Sequence, residues 1–165
     1  MTTTDAVNFG IAVLFGVFAI MMLVHMVKHY KWIEIPDRQW SALKILFLAI
    51  GLLTILSILT DTSMITSLSG ILRTVTTTAA VIIYLLMKDG IGEQGLVSGI
   101  TTYTWKDIKA YDYEEDNKKF HVFFVMDSSK GEQVRELIFD RDKEDDVKDL
   151  LKKNLGRKYT RMKKR

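Results

Sequence analysis

The chain has 165 residues, 48% of them hydrophobic, a formal net charge of +3 and no cysteine. That length holds one modest domain, or a bundle of membrane helices with a small appendage. The lack of cysteine excludes disulfides, thiolate metal sites and cysteine nucleophiles. Charge distribution favours the second architecture, because residues 1–88 carry only Lys28, Lys31, Arg38, Lys44, Arg73 and Lys88 against Asp5, Glu34, Asp37 and Asp61. Every other charged side chain lies beyond Lys88.

Phe9 to Val27 contains no charge. At about 1.5 Å per residue it is long enough to cross the roughly 30 Å hydrocarbon core of a bilayer. No Lys or Arg precedes it and no small-x-small site closes it, so it reads as a retained span and not a signal peptide. A second span covers Ala42 to Thr60, with Lys44 at its edge where a long stem can snorkel. The third, Ser67 to Met87, is richer in threonine and carries Arg73.

Short cytoplasmic loops accumulate Lys and Arg. The connection after the first span holds Lys28, Lys31 and Arg38, whereas the amino terminus and the turn from Asp61 to Thr66 hold none. The expected orientation is therefore amino terminus outside, the Lys31 loop and everything after Lys88 in the cytoplasm. Trp32 and Trp40 flank the inner loop, where amphipathic rings favour the headgroup layer.

Arg73 is the one charge well inside a span, about 9 Å from its outer end by helical rise. Its expected partner is Asp61, across the short turn, which makes the pair structural before it is an ion site. Gly70, Thr74 and Thr78 recur every four residues and predict a small-residue stripe for helix packing. His25 and His29 have metal-ligand spacing on a helix, but no further Cys, Glu or His joins them nearby in sequence, so no metal is assigned.

From Gly90 the stretch GIGEQGLVSG supplies four glycines and predicts an end to helix and a flexible lead into an independently folding domain. The periodicity then shortens toward two. Strands are predicted over Ile100–Trp105, Ile108–Glu114, Phe120–Met126 and Gln133–Asp140, with turns at Lys106-Asp107, Asp116-Asn117 and DSSKGE. FHVFFVM is apolar on both faces, as a central or covered strand is. Beyond Asp140 the period becomes helical through Val147, Leu150, Leu151 and Leu155, with Asp142 as expected N-cap, acids in the first turn, lysines in the last and Gly156 as the stop.

The predicted fold is a membrane α region plus a small α+β unit: three transmembrane helices (about 9–27, 42–60 and 67–87), then, over 89–156, an antiparallel sheet of four to five strands closed by one carboxy-terminal helix. A basic tail, 157–165, follows. DRDKEDD resembles a calcium loop but has Asp145 where glycine is required and Leu151 where the bidentate acid belongs. No phosphate-binding glycine loop, nucleophile elbow or zinc-protease histidine pair occurs. No catalytic residue, metal or cofactor is assigned, and the chain reads as non-enzymatic.

Gly95 through Trp105, Asp107, Ile108 and Tyr111, followed by FHVFFVM and a helix ending KDLLKKNLG, resembles the carboxy-terminal domain of a family of small bacterial membrane proteins related to bacterial pleckstrin-homology-like domains. The resemblance covers residues 90–156 and implies a partly open sheet closed by one helix. It brings no catalytic residues. Four to five strands fall short of the seven in a full pleckstrin-homology barrel, and Trp105 and Tyr111 are expected in the core.

Lys152, Lys153, Arg157, Lys158, Arg161, Lys163, Lys164 and Arg165 form a terminal run without an acid. In the cytoplasm such a run attracts anionic headgroups by about 1 kcal/mol per near-surface cation. The expected function is a binding or regulatory module at the inner leaflet of a bacterial cytoplasmic membrane. Its expected partners are lipid headgroups, another copy of the chain or a membrane protein. Protection against membrane-active peptides and a role as a small transporter or enzyme subunit are the alternatives. Nucleic acid is not an expected partner, because the tail holds one aromatic residue, Tyr159, and no folded reader accompanies it.

Overall fold

The computed structural model describes residues 2–38, 40–128 and 131–161. They fall into two compact units, Met1–Lys28 with Trp40–Met87, and His29–Gln39 with Lys88–Arg165.

The first unit is helical. α1 (Thr3–His29), α2 (Ala42–Thr60), the single turn α3 (Ser63–Thr66) and α4 (Leu68–Leu86) follow in order. Three of them, α1, α2 and α4, are long and apolar enough to cross a membrane. Ser41 caps α2 by accepting from the Lys44 N–H, and Ser67 caps α4 by accepting from the Gly70 N–H. Both hydroxyls satisfy a backbone donor that a helix start leaves orphaned.

The helical core packs Ala19, Met22, Phe47, Ala80, Val81, Tyr84 and Met87. Phe47 stacks on Tyr84 with ring centroids 4.3 Å apart. Along α4 the buried face runs through Gly70, Thr77, Ala80, Val81 and Tyr84, whereas Thr78 is exposed. The expected Gly70–Thr74–Thr78 stripe therefore leaves the interface at its last member. Steps of four residues drift about 40° each around a helix of 3.6 residues per turn, so the inward position passes to Thr77.

Among the described residues the second unit contains seven strands and one α-helix. Its first sheet has the order β1 (Ile35–Pro36), β2 (Gly90–Gly92), β3 (Gly95–Ser98), β4 (Thr101–Thr104); its second has β5 (Ile108–Glu115), β6 (Lys119–Ser128), β7 (Gly131–Asp140). All neighbours are antiparallel. α5 (Glu144–Leu155) closes the unit, burying Val147, Leu150, Leu151 and Leu155, and ends at Gly156, whose N–H donates to the carbonyls of Leu151 and Lys152.

β6 is the central strand of its sheet, as its sequence required. Phe120, Val122, Phe124 and Met126 are fully buried, and they share one core with Trp105, Ile108, Tyr111, Leu137 and Phe139. Trp105 also donates its indole N–H to the Glu93 carbonyl at 2.8 Å, and both Trp105 and Tyr111 lie in the core. Helix initiation differs from expectation. Asp142 lies inside a 3-10 turn, Arg141–Lys143, and the cap position of α5 is Lys143, which makes no side-chain capping bond.

The seven strands exceed the expected four to five, and β1, β2 and β3 lie outside the four that the sequence located. The glycine-rich stretch is no flexible lead: it supplies β2 and all of β3, both buried apart from the partly exposed Ser98. β1 comes from the connection between α1 and α2. It pairs Ile35 with Ile91 and Pro36 with Gly90, flanked by Glu34 N–H to Ile91 O at 3.0 Å and Asp37 N–H to Asp89 O at 2.8 Å. The same segment also reaches the other sheet. Arg38 N–H donates to Ile138 O at 2.8 Å, and Ile138 N–H donates to Asp37 Oδ1 at 2.9 Å. Residues 34–38 thus stitch the edge of β2 to the edge of β7.

Glycine makes that close approach sterically allowed. A Cβ on Gly92 would lie 1.8 Å from the Trp32 carbonyl oxygen, and one on Gly90 2.4 Å from that of Ile35.

Candidate functional site

A cleft of about 350 Å³ lies between β5 and α5, walled by Tyr111, Tyr113, Asp145, Lys148, Asp149 and Lys152, with Leu151 beside them. The helical period places Asp145, Asp149 and Lys152 on adjoining rows of α5, beside Lys148. Lys148 Nζ donates to Glu115 at 2.8 Å and to Glu144, and it stands 5.1 Å from the Tyr113 ring centroid and 5.4 Å from that of Phe120. Arg141 adds a second cation to both carboxylates, at 3.3 Å to Glu115 and 2.8 Å to Glu144.

Within this network Lys148 and Glu115 shift one another. The Glu115 carboxylate holds Lys148 above the ordinary lysine range, with Glu144 contributing in the same direction. Lys148 in turn holds the Glu115 carboxyl below its ordinary range, with help from Arg141. Burial pushes the Tyr111 phenol up. For a depressed carboxyl, the stabilisation is present above the unfolded-state pKa and is lost as pH falls through the folded one. Urea midpoints of the domain are therefore expected to fall as pH drops below about 4.5, and the acid-side fall is expected to be shallower in Glu115→Gln. An unchanged acid limb in that variant would contradict the assignment.

The tail begins as part of this site. After a 3-10 turn, Gly156–Lys158, Tyr159 forms a parallel bridge with Tyr111, and Thr160 N–H donates to Tyr111 O at 2.9 Å. The Tyr159 ring lies 5.6 Å from Tyr111 and 5.2 Å from Tyr113, centroid to centroid. Lys158 turns inward, donating to the carbonyls of Ile108 at 2.6 Å and Trp105 at 3.3 Å. Lys153 pairs with Glu93 at 3.1 Å, while Lys152, Arg157 and Arg161 are exposed. Lys163, Lys164 and Arg165 lie outside the described residues. The eight tail cations are thus not equivalent: Lys158 is engaged by backbone carbonyls.

In the helical unit, Asp61 is the partner that the sequence suggests for Arg73. The guanidinium donates to Asn8 Oδ1 on α1 at 3.0 Å and lies 3.7 Å from Met64 Sδ. Asn8 is buried, and one turn away Ser69 donates to Asp5 at 2.7 Å. Two polar rungs therefore join α1 to α4. Asp61 sits at the C-cap of α2, its backbone N–H bonded to Ser57 O. His29 packs edge-on against Trp32, ring centroids 4.7 Å apart. Among the described residues no group of three or more His, Cys, Asp or Glu is placed to hold a metal ion.

Asn8 had no sequence signal beyond being polar near the end of an apolar run. The strand of residues 35–36 had one that was legible in retrospect: a lone proline between Ile35 and Asp37, and a Gly-x-Gly far downstream with no turn to serve.

With this geometry in place, the comparisons with known proteins add one assignment. Residues 87–156 match a family described as a domain of unknown function, DUF5673. The match spans β2 through α5 and stops short of β1, which lies more than fifty residues upstream. No curated protein and no solved structure matches the chain.

Proposed function

We propose that this chain is a non-enzymatic, multi-pass protein of a bacterial cytoplasmic membrane whose pleckstrin-homology-like domain acts as a binding or regulatory module on the inner face. The observation that carries the reading is the pairing of β1 with β2. It ties the connection between α1 and α2 into the domain that follows α4, so both must lie on one side of any membrane that the helices cross. That connection holds Lys31 and Arg38, and the positive-inside rule assigns their side to the cytoplasm. An amino terminus outside then follows from the odd number of crossings. Seven strands in sheets of four and three, closed by one helix, support the pleckstrin-homology likeness through their count and order.

Lys152, Arg157 and Arg161 supply exposed positive charge for anionic headgroups, each worth about 1 kcal/mol near such a surface and screened over about 10 Å at 0.1 M salt. The test uses the full chain in nanodiscs of phosphatidylcholine with and without phosphatidylglycerol. Tryptic cleavage at Arg157 and Arg161 is expected to slow in the anionic discs at low salt and to recover at high salt. Equal cleavage in both discs would exclude headgroup binding by these residues. Protease added to intact cells is expected to spare the Phe120–Met126 region, and digestion there would overturn the orientation.

A further inference from the structure

We infer that residues 34–38 act as a latch through which the state of the domain is imposed on the inner ends of α1 and α2. The inference concerns transmission within the chain and holds whichever molecule the domain binds. Its basis is the way the chain is threaded. α1 runs through a 3-10 turn, Tyr30–Trp32, directly into the stitched segment, and α2 begins at Ala42, with only a short connection after Arg38. No long flexible spacer separates the segment from either helix, so displacement of the strand is passed to covalent neighbours on both sides.

The segment is held by bonds that form or break together. Its backbone donates from Glu34, Asp37 and Arg38, and its side chains accept from Ile138 N–H at 2.9 Å and from Glu93 N–H at 3.2 Å. Arg38 additionally pairs with Asp140 at the end of β7. Ile35 alone contributes to the domain core from this side. A two-residue strand anchored by one apolar side chain and a ring of hydrogen bonds is at the low-stability end of a folded unit, where local opening occurs without global unfolding. Opening would uncover the fully buried Ile91 of β2 and release the segment's grip on β7. Two arrangements of one element, each biasing both the domain and the helix ends, are what transmission between sites needs.

Amide hydrogen exchange on the full chain in phosphatidylcholine nanodiscs tests this. Asp37→Ala removes the acceptor of the Ile138 N–H and is expected to raise exchange at Asp37, Arg38 and Ile138 by about fivefold or more. The latch further requires faster exchange at Lys44 and Ile45, in the first turn of α2, in the same variant. A second chain carries Asp37→Ala together with six-residue Gly-Ser insertions after Lys28 and after Gln39; there the strand amides should still open while Lys44 and Ile45 return to wild-type rates. Opening of the strand with unchanged α2 amides in the uninserted chain would overturn the proposal, as would acceleration that persists through the insertions. Unchanged exchange at Asp37 and Arg38 in Asp37→Ala would also refute it, because the segment would then be no separable element.

Discussion

Gly92→Ala is expected to destabilise the second unit by about 3 kcal/mol or more. The added methyl would stand 1.8 Å from the Trp32 carbonyl oxygen and 2.9 Å from its carbon, and both belong to backbone held in place by the hydrogen bonds of Glu34 and Asp37. A flexible side chain can swing away from such a clash, but here β1 must separate from β2 or β2 must bend. Small domains have total stabilities of about 5–15 kcal/mol, so the substitution removes a large fraction. The measurement is a urea titration of the full chain in detergent micelles, followed by Trp105 fluorescence in a background carrying Trp32→Phe and Trp40→Phe. Gly10→Ala is the control: α1 has open space around that glycine, and alanine there is expected to be neutral or to stabilise by up to about 1 kcal/mol. Equal midpoints for Gly92→Ala and wild type would mean that the segment does not approach β2 in solution.

The helices were legible because one physical signal decides them. A run of about nineteen residues with at most one charge has few alternatives to a long helix, and the observed Ala42–Thr60 and Leu68–Leu86 coincide closely with the sequence bounds. β5, β6, β7 and α5 were legible for the same kind of reason, since Ile108–Glu114, Phe120–Met126 and Gln133–Asp140 show strand patterning and Val147 to Leu155 shows helical patterning. β1, β2 and β3 were not. Their composition of glycine and a single proline speaks, by propensity, for turns, and tertiary packing overrides it: Gly90 and Gly92 are needed because the backbone of Trp32 and Ile35 passes against them, a fact about residues more than fifty positions away. Local periodicity carries no information about such a partner.

The site shows the same division. Glu144 with Lys148 at four-residue spacing was readable as a helical pair, but Glu115 joins them from β5 at 2.8 Å, a neighbour that only the folding of α5 over the sheet provides. The tail read as a uniform basic run, because charge was its only pattern. Tyr159 and Lys158 anchor it to β5, and neither contact has a sequence signature. Arg73 bonds Asn8 across sixty-five positions, a partner that nearness along the chain does not suggest.

Phe124→Ala should abolish folding of the second unit or bring it to the margin, at a cost of about 3–5 kcal/mol. Phe124 is fully buried at the centre of β6, opposite Tyr111 on β5 and Arg135 on β7, and its neighbours on the same face, Val122 and Met126, are equally buried. A cavity at the middle strand cannot collapse without disturbing both ladders, which places the expected cost toward the upper end of that range. Phe123 is the internal comparison. It points to the opposite face and is only half-buried, so Phe123→Ala should cost about 1 kcal/mol. The helical unit provides a second readout, because α1, α2 and α4 have a core of their own in Met22, Phe47, Ala80 and Tyr84. Phe124→Ala is therefore expected to insert into membranes at the normal level and to resist alkaline extraction, while its Lys88–Arg161 region becomes rapidly degradable by trypsin in detergent. Comparable losses for Phe123→Ala and Phe124→Ala would show that β6 is covered equally on both faces, by an element that the helix α5 and the first sheet do not account for.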